Sequence, residues 1–263
     1  MTVIDNFQWT AERWGQALRA PVVSEAAANL FTTRELRLRG HSETHDWALV
    51  AAAVGVPAER LVRLQQVHGT TVVSLKRGEP IPYSANTWPQ ADIVVTDDTS
   101  LAVAVQVADC APLLIADRHG RAVAAVHAGW RGTCSGAAPK AVSALLTVFG
   151  VDPGDVVVAL GPSIGPCCYS VGQDVFDAFA ARHRAEQTAR WFRRDEDGRL
   201  RLDLWAANAD QLEAAGVAPD SIRVSGLCSA CHPDLFHSYR RDGPGAGRIA
   251  AAIRLRPPRP SLR

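Results

Sequence analysis

The sequence predicts an α+β fold, a sheet buried on both faces beneath flanking helices, and three observations predict it. First, Ala91–Thr96, Ala102–Val107, Leu113–Asp117 and Ala122–His127 are short runs dominated by Val, Leu, Ile and Ala. Strands that read as near-continuous apolar runs are covered on both sides. Second, Gly136–Phe149, stopped by Gly150, and Leu202–Gly216 have helical spacing and supply the cover such a sheet requires. Third, 47% of the 263 residues are apolar and 21% are charged, the composition of a folded soluble chain and not of a disordered one. That length accommodates one compact unit or two intimately packed halves.

The elements follow in order. Residues 1–28 read as an N-terminal extension in which Ala11–Ala20 forms a short helix. Asn29–Arg34 is a strand, and His45–Val54 is a helix ended by Gly55 and Pro57. Arg60–Leu64 is a strand that leads into Gln65-Gln66-Val67-His68-Gly69, and Val72–Leu75 is extended. Gly78–Gln90 contains three prolines and reads as a long loop, a candidate lid. After the central strands and the first helix, Val156–Leu160 is a strand. Val171–Arg184 is helical, with Val171, Val175, Ala178 and Phe179 on one face. Ile222–Ser225 is a strand, Ile249–Leu255 closes the fold as an edge strand, and residues 256–263 form a flexible tail.

A formal net charge of +1 leaves no basic excess, so nucleic acid is not an expected partner. The most apolar stretch, Leu101–Ala116, is interrupted by Gln106 and Asp109 and is too short to span a bilayer. No secretory leader is read at the N-terminus. The expected location is cytoplasmic, with no membrane association, and monomer and small homo-oligomer are equally open. The six cysteines are then expected to be reduced, which raises metal binding or catalysis before disulfides.

Three groups of residues carry candidate chemistry. His68, Cys110 and His127 each stand just past a strand. Two imidazoles and a thiolate suit zinc, and three protein ligands leave a fourth position open. The alternative is a turn-capping histidine and an inert buried thiol. Cys228 and Cys231 form a C-x-x-C that could bind metal or exchange thiols. A structural site would want a second spaced pair, and Cys167-Cys168 is adjacent, so packing is the favoured reading. Gly129, Gly132 and Gly136 around Arg131 could cradle an anion between a strand and a helix, or simply make a tight turn. Gly161–Pro166 is a second rigid loop, and the run from Arg240 to Arg248 is either a solvated face or another edge of a site.

At QQVHG, VADCAPLLIAD and HAGWRGT, continuing through ALGPSIGPCCYSVGQDVFDAF and CSACHPDLFHSYRRDG, the chain resembles the YfiH-type proteins. These are described as purine nucleoside-processing enzymes and, in older usage, as multicopper polyphenol oxidoreductases or laccase-domain proteins. The resemblance covers about Asn29 to Arg248 and implies a catalytic domain over residues 29–255. It implies a mixed β-sandwich with outer helices, and one zinc ion per chain on His68, Cys110 and His127. It also implies phosphorolysis of adenosine, inosine, guanosine and methylthioadenosine by inorganic phosphate, with deamination of adenosine alongside. Arg34 matches the family's arginine. Arg34, Arg131 and Arg248 are candidates for holding the anion. Asp109 could orient a ligand, serve as an acid–base group, or satisfy backbone donors beside the sheet. Gln66, Ser163, Cys168 and Tyr169 are grouped with Arg131 and Arg248 as substrate-binding candidates.

Two departures stand out. After Thr33-Arg34 the usual glycine- and serine-rich loop is shortened to ELRLRGHSETHD, with only Gly40 and Ser42 of that texture, and His237 stands where an aromatic residue is usual. Two further readings accompany the zinc phosphorylase. One, implied by the older family descriptions, is a copper-dependent polyphenol oxidoreductase, and the other, suggested by the altered first loop, is a catalytically weakened relative that binds or scaffolds.

Overall fold

The computed structural model describes residues 3–4, 6–39, 44–83 and 87–257. Strands occupy Val3–Ile4 (β1), Phe7–Glu12 (β2), Gly15–Arg19 (β3), Ala27–Thr32 (β4), Leu61–Val62 (β5), Val72–Leu75 (β6), Ile93–Thr96 (β7) and Ala102–Val107 (β8). They continue with Ala111–Asp117 (β9), Val123–Ala128 (β10), Val156–Leu160 (β11), Phe192–Arg194 (β12), Leu200–Leu202 (β13), Ile222–Val224 (β14) and Ile249–Leu255 (β15). Helices are Pro21–Ser24 (α1), Thr44–Val54 (α2), Trp130–Cys134 (α3), Ala137–Phe149 (α4), Gln173–Ala180 (α5), Ala185–Trp191 (α6), Leu204–Ala214 (α7) and Tyr239–Asp242 (α8).

One sheet runs β1-β2-β3-β4-β15-β8-β5 and the other β14-β11-β9-β10-β7-β6, with β12 and β13 as a separate hairpin. The pairs β5/β8, β6/β7 and β11/β14 are parallel and the rest antiparallel, so the sandwich is mixed. Its period-2 side-chain pattern assigns each face. In β8 and β15, Val103, Val105, Ile249, Ala251 and Ile253 enter the layer between the sheets, where they meet Leu114, Ala116, Val123 and Ala125 of β9 and β10. The alternate residues Ala102, Ala104, Ala250 and Ala252 are small, and Trp47, Val50, Ala51 and Val54 of α2 pack over them. On the far side, Leu113, Ile115, Ala124 and Val126 are covered by Ala141, Val142 and Leu145 of α4 and by Leu212 of α7. Four layers result, helix, sheet, sheet and helix, which is the expected mixed β-sandwich with flanking helices. The central strands match the apolar runs closely because burial on both faces leaves them no polar register.

Two local expectations need correction. Ala11–Ala20 is not a helix: it spans the end of β2, a turn and β3, with Gly15 at φ +130° and Trp9 opposite Leu18. Pairing of β3 with β4 overrides the alanine content, and it carries the sheet across the boundary drawn at residue 29. Ile249–Leu255 is not an edge strand, since β15 lies between β4 and β8 with both faces buried. In the C-terminal segment, Arg256 donates its backbone N–H to Ala26 O, while residues 258–263 lie outside the described residues. Gly40 and Ser42 of the shortened loop also lie outside them. Beside these, the backbone N–H groups of Arg37 and Leu38 donate to Asp46 Oδ2, and Leu36 and Leu38 are buried. Among the described residues no helix is long and apolar enough to cross a membrane.

Candidate active site

β8 and β9 belong to different sheets, so Ala108-Asp109-Cys110 crosses from one layer to the other at the end of the sandwich. Asp109 makes the turn at φ +87°, in the left-handed region that aspartate tolerates better than most residues. The β9–β10 register sets His127 opposite Pro112 and Ala128 opposite Ala111, which brings Cys110 beside Gly129. On the other side of β10, Val126 is opposite Ile93, so Asp92 falls next to His127. His68 arrives on the loop after β5 at φ +61°. The donor atoms of His68, Cys110 and His127 lie within 4.8 Å of one another, and the two imidazoles stand edge to face.

Asp92 is what holds this arrangement. Its fully buried carboxylate accepts the backbone N–H groups of Val67 (3.3 Å), His68 (2.9 Å) and Gly69 (2.6 Å), fixing the unusual backbone at His68. Oδ1 also lies 2.7 Å from His127 Nδ1. A proton on Nδ1 then donates to the carboxylate and leaves the Nε2 lone pair free, the arrangement found in carboxylate–histidine–metal triads. Burial pushes Asp92 up, but the hydrogen bonds to His127 and Gly69 outweigh it and hold it below the usual carboxylate range. Burial likewise raises Cys110, and the charge of His127 with hydrogen bonds to both histidines brings it down to about 6. His127 is lowered by burial and raised more by the charge of Cys110 and by Asp92, to about 9.

This donor set fits a borderline-soft divalent cation. It supplies two nitrogens and a sulfur, a tautomer fixed from behind, and an open side. Gly129 makes room for it: a Cβ there would stand 2.8 Å from Cys110 Sγ and 3.2 Å from His68 Cδ2.

The open side faces a cavity of about 600 Å³, within the range of small-molecule sites. Trp88, Trp130 and Tyr169 give it aromatic walls, and Arg63, Arg240 and Arg248 give it positive charge. Arg63 is held between the rings of Trp47 and Trp88, 4.7 and 5.4 Å from their centroids, and among the described residues it has no carboxylate partner. Arg240 lies over Tyr169 at 5.2 Å. Burial pushes the Tyr169 phenol well above its ordinary range, and the charges of Cys110 and Asp109 add to this against Arg240 and Arg131. The phenol stays protonated and is a donor.

The structure brings some expected residues together and separates others. His68, Cys110, His127, Asp109, Gln66, Tyr169 and Arg248 line the cavity. Gln66 uses its amide on the backbone of Gln106, donating to Gln106 O and accepting Gln106 N–H, each at 2.8 Å. Asp109 accepts Ser229 Oγ–H and Arg240 N–H, both at 2.6 Å. Both its oxygens are therefore engaged, one on the loop of Cys228 and Cys231 and the other on the first turn of α8, which carries Arg240. Arg34, Arg131, Ser163 and Cys168 are not among the lining residues. Arg34 donates to Pro233 O, and Arg131 stacks on its neighbour Trp130 at the surface. Ser163 is fully buried and accepts Trp205 Nε1–H at 2.6 Å. Cys168 faces Cys231, 3.3 Å between sulfurs.

Sequence reasoning misses Asp92, Arg63 and Trp88. A single Asp before the apolar run Ile93–Thr96 is the available signal for Asp92. Trp88 comes from the proline-rich loop expected as a lid.

The family model described as multi-copper polyphenol oxidoreductase laccase matches residues 41–256. Purine nucleoside phosphorylase YlmD of Geobacillus stearothermophilus is 38% identical over 207 residues, covering 78% of this chain and 75% of its own. A purine nucleoside phosphorylase of Deinococcus radiodurans is 38% identical over 208 residues, 79% of this chain and 75% of that protein. The crystal structure of the Bacillus licheniformis hypothetical protein YfiH is similar with a TM-score of 0.85 at 26% identity, over 96% of this chain and 100% of that one. That of Geobacillus stearothermophilus YlmD has a TM-score of 0.83 at 30% identity with the same coverage.

Proposed function

The chain belongs to the multi-copper polyphenol oxidoreductase laccase family, and from that membership we propose that it is a cytoplasmic purine nucleoside phosphorylase holding one zinc ion on His68, Cys110 and His127. The observation that carries the proposal is one cavity in which a three-donor metal set, three guanidinium groups and aromatic walls face each other. The names of relatives at 38% identity point the same way. Adenosine, inosine, guanosine and methylthioadenosine are the proposed substrates, with adenosine deamination as a second reaction in the same cavity.

In phosphorolysis, phosphate attacks C1′ of the ribose as the C1′–N9 bond breaks, giving ribose 1-phosphate and the free base. Arg63, Arg240 and Arg248 hold the phosphate by charge-assisted hydrogen bonds. Trp88 and Trp130 offer faces for the purine. The protonated Tyr169 phenol can donate to the departing base, on which negative charge develops. Asp109 acts as a positioning residue through the backbone of Arg240, and Asp92 through both histidines. Zinc, when bound, would supply Lewis-acid polarisation of a substrate oxygen or nitrogen.

Copper-dependent phenol oxidation is the second reading. The family description favours it, and two imidazoles with a thiolate can also hold a mononuclear copper. A multicopper enzyme requires further histidine clusters. Among the described residues, the other metal-competent group consists only of cysteines. Metal analysis of protein purified without added metal, followed by incubation with inosine and phosphate, tests the proposal. Zinc in the protein and release of hypoxanthine are expected. Zinc-loaded protein that releases none overturns phosphorolysis and leaves the weakened binding relative, whereas copper with phenol turnover favours the oxidoreductase.

A further inference from the structure

The pairs Cys167-Cys168 and Cys228/Cys231 are far apart in the chain, yet all four sulfurs lie within 4.8 Å of one another. Cys167 and Cys168 sit on the loop after β11, and Cys228 and Cys231 on the loop after β14. The sulfur of Cys231 is 3.5 Å from that of Cys167 and 3.3 Å from that of Cys168. All four are free thiols. Zinc–sulfur bonds of about 2.3 Å in a tetrahedron place sulfurs about 3.8 Å apart, so small side-chain adjustments close the cluster around one ion.

Two further observations bear on what belongs there. Cys228, the most buried of the four, accepts the backbone N–H of Gly165 at 3.3 Å, so the backbone already presents a donor to its sulfur. Guanidinium groups also surround the cluster: Arg201 donates to Cys167 O (3.0 Å), Arg240 to Cys168 O (3.4 Å), Arg193 to Pro166 O (3.4 Å) and Arg241 to Ser229 O (2.9 Å). Arg201 pairs with Asp195 and Arg241 with Asp242, while Arg193 and Arg240 have no carboxylate ion-pair partner among the described residues. A zinc tetrathiolate carries two net negative charges, which this surround can balance.

We propose that Cys167, Cys168, Cys228 and Cys231 form a second metal site, a structural zinc tetrathiolate that clips the loop after β11 to the loop after β14. Each thiol that coordinates releases its proton to solvent. The clip bears on the cavity, because Tyr169 follows Cys168 directly and Arg240 donates to Ser170 O at 2.9 Å. It does not depend on the metal set of His68, Cys110 and His127.

Metal content of reduced protein, expressed with zinc supplied, is the test. Two zinc ions per chain are expected in the wild type, one in Cys110→Ala and one in Cys228→Ser/Cys231→Ser. Cobalt-loaded Cys110→Ala should show the intense sulfur-to-cobalt charge-transfer bands of a thiolate-rich tetrahedral site. Native wild-type Cys167, Cys168 and Cys231 should resist iodoacetamide until a chelator is added. Should the double variant fail to fold, the wild-type stoichiometry and alkylation pattern decide alone. Cys110→Ala with no bound metal, ready alkylation of the three thiols in native protein, or a disulfide among the four in place of metal would each overturn the site. Loss of metal in Cys110→Ala speaks to the other site only when one ion remains.

Discussion

Replacing Asp92 by Asn changes one atom and removes one charge, and the hydrogen bonds around the side chain dictate the consequences. Asp92 accepts four of them, with His68 N–H and His127 Nδ1–H on Oδ1 and Val67 N–H and Gly69 N–H on Oδ2. An amide has one oxygen. If that oxygen stays on Val67 and Gly69, the new NH2 faces His127 Nδ1 and donates to it, driving the imidazole proton onto Nε2, the atom a metal needs. If the amide turns over, His127 keeps its tautomer and the NH2 opposes Gly69 N–H where the acceptor sat at 2.6 Å. Either orientation also forfeits a charged acceptor, worth about 1.5–3 kcal/mol of stability. Loss of such a carboxylate behind a metal-binding histidine costs about 10–100-fold in affinity, or about 1.4–2.7 kcal/mol. Competition against a chromophoric chelator reads the zinc affinity, and thermal melts in excess chelator read the metal-free fold. An Asp92→Asn variant that melts lower yet binds zinc within twofold of the wild type would refute the tautomer role and leave Asp92 as a loop anchor alone.

Gly129→Ala is a purely steric test, because Gly129 has φ −70° and ψ 177°, which alanine adopts freely. Its Cβ would meet Cys110 Sγ at 2.8 Å, and pushing the sulfur back by several tenths of an ångström exceeds the about 0.2 Å tolerance of a metal–ligand bond. Zinc affinity should fall about tenfold or more by chelator competition, with the circular dichroism spectrum unchanged. His237 is buried, and burial depresses its pKa from the ordinary 6.5, against a hydrogen bond to Leu36 O and alongside the charge of Arg34. A depressed histidine contributes stability above its unfolded pKa that is lost as pH falls through and below 6.5, because the unfolded chain takes up the proton first. His237→Phe should cost about 1 kcal/mol at pH 8 through the lost hydrogen bond. The gap to the wild type should narrow or invert by pH 5.5 in urea melts, and a pH-independent gap would contradict this assignment.

The strands of the central sandwich are legible in the sequence because each is buried on both faces, so local composition and tertiary environment say the same thing. β8 and β11 coincide with their apolar runs for that reason. β15 is legible as a strand and not as a central one, since strand order is a property of long-range pairing and Ile249–Leu255 carries no mark of which neighbours flank it. The hairpin of β2 and β3 reads as helix because Ala11, Ala17 and Ala20 favour helix locally, and only β4 supplies the partner that decides otherwise. Arg63 and Trp88 are hidden likewise: nothing near either residue announces that the loop before β7 will fold Trp88 onto Arg63.

The cysteines show most clearly where sequence spacing stops being informative. Sequence rules for metal sites look for spaced pairs, because a C-x-x-C can point two sulfurs at one ion from a single turn. By that rule Cys228 and Cys231 lack a second pair, and adjacent Cys167-Cys168 does not qualify. The sheet supplies what spacing lacks. β11 and β14 are parallel neighbours, with Leu160 opposite Val224, so they leave the sheet at the same end, side by side. Ser163 then forms a bridge with Cys228 and its carbonyl accepts Ser229 N–H at 2.9 Å, carrying the pairing past both strands into the loops. Sulfurs separated by some 60 positions are thus delivered to one point by parallel pairing. The requirement on the sequence becomes two cysteines at similar distances beyond two parallel strands, a pattern that becomes visible once strand order is known.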